Sequence, residues 1–143
     1  MKPVRVLVVD DSEVVRRGMC EFLKSHTDIQ VICEAADGAE AVRRAKEHRP
    51  DLVLMDVTMP NMNGLEAARI ISDEMPFCRI IMVSQHESQA FMREALRAGA
   101  IGYVTKSKVA TDLIPEIRRI QELHIPRNAG RTLLSSGNLL SQN

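Results

Sequence analysis

The sequence predicts an α/β fold built on one parallel sheet. Three observations carry that reading. Five short apolar runs, rich in Val, Ile and Leu, recur along the chain, and each is followed by a stretch with helical periodicity. The runs are nearly continuous rather than alternating, which is the pattern of strands covered on both faces. Strand and helix alternate throughout, so the crossovers are right-handed and the helices fall on both sides of the sheet. At 143 residues there is room for one ordinary domain with a substantial core.

The first run, Val4 to Val9, stops at two adjacent aspartates, Asp10 and Asp11. A helix follows. Val14, Val15, Gly18, Met19, Phe22 and Leu23 read as its inner face, and Arg16, Arg17, Glu21 and Lys24 as its outer one. Ile29 to Ala35 is the second strand. Asp37 and Glu40 have the spacing of a capping box, opening a helix through Ala45. "DLVLMD", residues 51–56, is the third strand. Asn63 with Glu66 caps the next helix, which runs to about Met75 before Pro76 stops it. Arg79 to Ser84 is the fourth strand. A short helix spans about Ser88 to Ala98, and Gly99 suits the left-handed position after it. Ile101 to Lys106 is the fifth strand. The last helix is placed from about Thr111, with Pro115 in its first turn, where a missing N–H matters little. Leu113, Ile117, Ile120 and His124 line one face of it. Residues 1–123 form the folded domain. Residues 124–143 carry Pro, Gly, Ser and Asn without a sustained period and read as a linker or C-terminal tail.

Composition removes several classes of function. Lys+Arg and Asp+Glu are both 19, so this chain lacks the basic excess that a broad nucleic-acid surface needs. There is no Trp and a single Tyr, so stacking platforms for single strands are not expected. Cys20, Cys33 and Cys78 are far apart and set among apolar residues, as reduced core thiols rather than a zinc site. The apolar run at the N-terminus is too short for a signal peptide or a membrane span, so a cytoplasmic protein without membrane contact is expected. Met59, Met62 and Met75 read as packing or loop residues.

Chemistry gathers where the strands end. Asp10 and Asp11 follow the first strand, Asp56 ends the third, Ser84 the fourth and Lys106 the fifth. In an open parallel sheet, ligands bind in the crevice beyond those ends. Three converging carboxylates raise one another's pKa, and a hard divalent cation such as Mg²⁺ relieves the repulsion. A carboxylate beside a bound metal can serve as nucleophile toward phosphorus, Asp56 being the candidate. Lys106 and Ser84 would then hold the phosphoryl oxygens, and positioning with charge neutralisation is most of what such a transfer requires.

"VLVVDDS", "LVLMDVTMPNMNGLEA", "IIMVS" and "GAIGYVTK" together resemble the receiver domain of two-component response regulators over residues 4 to about 123. The resemblance is strongest to the branch that usually carries a LuxR-type helix-turn-helix output. It implies a flavodoxin-like (βα)5 fold with strand order 2-1-3-4-5. It implies Asp56 as phosphoacceptor, supplied by a sensor histidine kinase, with Asp10, Asp11, Asp56 and the backbone carbonyl of Thr58 holding Mg²⁺. Ser84 and Lys106 would contact the phosphate, and Tyr103 would be the switch aromatic that turns inward with Ser84. The implied protein is a phosphorylation-controlled regulator, not a turnover enzyme, whose output in the full-length form is transcription. Residues 125–143 lack the helical pattern of a DNA-reading module, so DNA binding would require a C-terminal output domain beyond this chain. Dimerisation on phosphorylation is plausible through the last helix.

Two positions depart from common receivers. Ser107 follows Lys106 where many have proline, so a cis bond is not expected there. Gln85 follows Ser84 where many have Ala or Gly, narrowing access to the phosphate, and Thr58 and His86 would flank the path of an attacking water. Two other functions compete. A phosphatase using an aspartyl phosphate would have a second aspartate at position 58, where this chain has Thr58, and a cap domain for substrate. A stand-alone or phosphorylation-independent binding module would not need the acidic set intact.

Overall fold

The structure is a computed structural model that describes residues 2–57, 59, 62–85 and 87–122. Five parallel strands form one sheet, β1 (Val4–Val9), β2 (Ile29–Ala35), β3 (Leu52–Asp56), β4 (Arg79–Ser84) and β5 (Gly102–Thr105), in the order β2-β1-β3-β4-β5. The helices are α1 (Glu13–Lys24), α2 (Gly38–His48), α3 (Gly64–Glu74), α4 (Gln89–Arg97) and α5 (Val109–Glu122), with a 3-10 turn at Lys106–Lys108.

Strand alternation divides the core in two. Leu7, Val9, Val53, Met55, Ile80 and Met82 face α2, α3 and α4. Val6, Val8, Leu52, Leu54, Ile81 and Val83 face α1 and α5. Because both faces are covered, the strands read as continuous apolar runs rather than alternating ones. Cys20 and Cys78 are buried and Cys33 is half-buried, all as reduced thiols. Burial, with the Glu34 charge added, pushes the Cys20 thiol up to about 11, which leaves it unreactive.

The caps follow the sequence reading. Asp37 accepts the Glu40 N–H, while the Glu40 side chain reaches back to the Ala36 N–H at 2.7 Å, one residue earlier than in a standard capping box. Asn63 accepts the Glu66 N–H. Gly99 has a φ of 108°, which an L side chain rarely adopts.

Four details differ from expectation. The buried stripe of α1 is Met19, Cys20 and Leu23, whereas Val14 is 82% exposed and Val15 also faces outward. Extended one turn back, that stripe passes through Arg16, so the helix is rotated by one position from its apolar pattern. Val14→Ser should therefore leave stability within about 0.5 kcal/mol of wild type, as an exposed substitution does, and a urea titration would show it. α2 continues to His48. α5 starts at Val109, so Pro115 lies inside the helix rather than in its first turn. The bond it fails to make is to the Thr111 carbonyl on the exposed side, where water can serve instead. Lys106 belongs to the 3-10 turn after β5, not to the strand. His124 and residues 124–143 lie outside the described residues.

The two rims of the sheet differ in character. At the N-terminal rim, Arg5 donates to the carbonyls of Arg49 and His48 at 2.7 and 2.8 Å, and its N–H reaches the Asp51 carboxylate. Arg49 stacks over Phe77, 4.3 Å from the ring centre. α5 ends at this rim too, where Arg79 on β4 donates to the Ile120 carbonyl. Asp10, Asp11 and Asp56 gather at the other rim.

Candidate functional site

β1 carries Asp10 to the C-terminal rim and still pairs there, its N–H donating to the Ala35 carbonyl of β2. The Asp10 carboxylate accepts the Ser12 N–H at 2.9 Å. Ser12, not either aspartate, caps α1 by accepting the Val15 N–H. The doubled aspartate is thus unnecessary to the helix. Asp10 is buried and Asp11 is exposed above it.

Asp56 is the last residue of β3 and is only 4% exposed. Its backbone is fixed by the start of α3. The Gly64 N–H donates to the Val57 carbonyl at 2.7 Å, and a Cβ at position 64 would overlap the Asp56 carbonyl oxygen. Sequence reading passed over Gly64 and used only its neighbours as caps. The available signal was a glycine just inside a helix that Asn63 already caps.

Lys106 closes the cluster from the 3-10 turn after β5. Its Nζ is 2.9 Å from Asp10 Oδ2 and 3.4 Å from Asp56 Oδ1. One carboxylate oxygen from each of Asp10, Asp11 and Asp56 can be chosen so that all three lie within 4.8 Å of one another. Among the described residues this is the group of acidic, His and Cys side chains with the geometry to hold a metal ion. An all-oxygen set of this charge suits a hard cation such as Mg²⁺.

The electrostatics show the strain of the arrangement. Burial, then the Asp10 charge, pushes the Asp56 carboxyl up to about 6, against the lowering influence of Lys106. Burial opposes the charge on Lys106, but hydrogen bonding to Asp10 and the charges of Asp56 and Asp10 outweigh it and raise its pKa. Lys106 stays protonated.

Ser84 ends β4 and is buried. Asp56 pairs in register with Val83, which puts Ser84 one residue beyond it at the same rim. Tyr103 is opposite Met82, half-buried against the core on the α4 side. Gln85 is exposed at the end of β4. Asp10 and Asp56 thus continue the α1/α5 side of their strands, while Ser84 continues the α4 side of its own, which Tyr103 shares. Thr58 and His86 lie outside the described residues.

The fold and this rim define a class, and comparison with known proteins agrees. The family model described as response regulator receiver domain matches residues 6–118. The transcriptional regulatory protein LiaR of Bacillus subtilis (strain 168) is 40% identical over 115 residues, 80% of this chain and 54% of LiaR. A two-component response regulator of the LuxR family from Aurantimonas sp. SI85-9A1 is 39% identical, with a TM-score of 0.79 over 83% of this chain and 85% of that one. A chain of the CheX–CheY–BeF3–Mg²⁺ complex from Borrelia burgdorferi is 29% identical, with a TM-score of 0.79 over 84% of this chain and 90% of that one. The chain belongs to the receiver domain family of two-component response regulators, and its five-stranded order matches the flavodoxin-like fold of that family. It spans about half the length of the curated relatives it matches, 53% to 55% for the first three. Among the described residues, no helix is long and apolar enough to cross a membrane.

Proposed function

We propose that this receiver accepts a phosphoryl group on Asp56 from a sensor histidine kinase, with Mg²⁺ held by Asp10, Asp11, Asp56 and the backbone carbonyl of Thr58. The observation that carries this reading is the meeting of three carboxylates with Lys106 at one rim of the sheet. An Asp56 carboxyl pushed up to about 6 fits a site short of positive charge. The Borrelia complex, which holds BeF3 and Mg²⁺, points the same way by analogy.

In the proposed step, an Asp56 oxygen attacks phosphorus in line. The new O–P bond forms as the P–N bond of the donor phosphohistidine breaks, and the imidazole keeps the electron pair. Asp10, Asp11 and Asp56 would hold Mg²⁺, which would supply the positive charge that the carboxylates and the phosphoryl group need between them. Lys106 already touches an Asp56 oxygen and would turn its ammonium to the phosphoryl oxygen formed beside it. Ser84 would donate its hydroxyl to another. Tyr103 would then follow Ser84 as the switch, and the longer protein would read the new conformation as transcription. Phosphate biases that equilibrium only through contacts that differ between the two states. The folded unit would be residues 1–123, with 124–143 as linker or tail. Repeated turnover of a substrate is not part of this function.

Intact mass after incubation with Mg²⁺ and acetyl phosphate tests the reading. One phosphate adduct, abolished by chelator and mapped to the peptide containing Asp56, is the expected result. An adduct mapped to another residue, or none with acetyl phosphate or with a phosphorylated kinase, would overturn it.

A further inference from the structure

Arg16 is the inward-facing charge of α1 that the apolar pattern of the helix conceals. It stands in the buried stripe one turn before Met19, Cys20 and Leu23, and its side chain is 17% exposed. It holds two partners at once. Its Nη1 donates to the backbone carbonyl of Asp10 at 2.8 Å, and its Nε to Glu34 Oε1 on β2 at 2.9 Å.

The carbonyl of Asp10 and the N–H of Asp11 belong to one planar peptide unit. Fixing that carbonyl fixes the plane and the place of the Asp11 Cα, and the Ser12 N–H held by the Asp10 carboxylate fixes the next peptide, so the Asp11 side chain leaves a backbone held on both sides. Asp10 is also held by the Ala35 carbonyl, by Ser12 N–H and by Lys106. Asp11 is exposed and gains its place from the peptide before it. We propose that Arg16 is a positioning residue for the acidic pair: by clamping the Asp10–Asp11 peptide to β2 it aims Asp11 at the cation. This rests on the metal-binding reading above.

Charge and geometry predict opposite signs. Arg16 is a cation near a site for a cation. Removing its charge alone would strengthen Mg²⁺ binding, because one repulsion is lost and Glu34 loses its partner. Removing a clamp would weaken it, and loss of such outer partners commonly lowers metal affinity by about 10-fold or more. Arg16→Lys separates the two, since it keeps the charge and lacks the fork that reaches two partners.

The test is calorimetric titration of Mg²⁺ into wild type, Arg16→Lys and Arg16→Gln, with far-UV circular dichroism to confirm folding. The expected result is weaker binding by about 10-fold in Arg16→Gln and a clear loss in Arg16→Lys as well. Equal or tighter binding in the folded variants would overturn the proposal. If Arg16→Gln fails to fold, Arg16→Lys decides alone. A wild type that shows no saturable Mg²⁺ binding would instead overturn the metal-binding reading, and this inference with it.

Discussion

Asp56→Asn should lose phosphoryl uptake completely and, in chelator at pH 8, melt above wild type. The loss follows from the chemistry, since an amide oxygen is not a nucleophile toward phosphorus. The gain follows from the electrostatics. In the unfolded chain Asp56 has the ordinary carboxyl pKa of 3.8, and in the folded chain it is pushed up to about 6. Between those values the folded state holds a proton that the unfolded state has lost. Stability therefore falls as pH rises from about 4 to 6, and the cost remains above that window. The amide removes the cost while Lys106 keeps its contact with Asp10. The full shift corresponds to about 3 kcal/mol, which is the upper limit of the gain, or roughly 10 °C for a domain of this size. Thermal melts of both proteins from pH 4 to 8 would read the difference directly. Mg²⁺ should raise wild type more than the variant. A variant that melts with or below wild type at pH 8 would mean that the lost contact with Lys106 outweighs the repulsion.

Gly64→Ala should cripple the site from outside it. The new methyl would overlap the Asp56 carbonyl oxygen, and a backbone atom cannot rotate away as a side chain can. Either α3 lifts or the end of β3 shifts, and Asp56 moves with it. Overpacking of this kind costs about 1–3 kcal/mol. A misplacement of about 1 Å can lower the rate by roughly 100-fold, so phosphorylation should suffer more than folding. Gly18→Ala is the matched control. A Cβ there meets nothing within 4 Å, and the position is helical, so the change should stabilise by about 0.4–1 kcal/mol. Initial rates of adduct formation, beside melts of both variants, would distinguish a displaced acceptor from a weakened fold.

These two glycines also show what the sequence made legible. Strands buried on both faces announce themselves as apolar runs, so the sheet and the residues at its rim, Asp10, Asp56 and Ser84, could be read from their ends. Caps are local, so Asp37 and Asn63 were readable too. Contacts between distant segments were not. Nothing near Gly64 in sequence says that β3 will pass against it, and Gly18 looks no different. The face of α1 was misread for a related reason. Val14 and Val15 extend a plausible apolar stripe, and only the position of β2 reveals that Arg16 takes the inward place.

α5 begins beside Lys106 and ends at Glu122 on the opposite rim, where Arg79 meets the Ile120 carbonyl. Its 14 residues span about 20 Å. Whatever the chain does after residue 122 therefore starts a full helix length from the acidic cluster. A message from Asp56 to the end of α5 therefore crosses the body of the domain as a shift of packed layers, or is read by a second molecule that sees both rims.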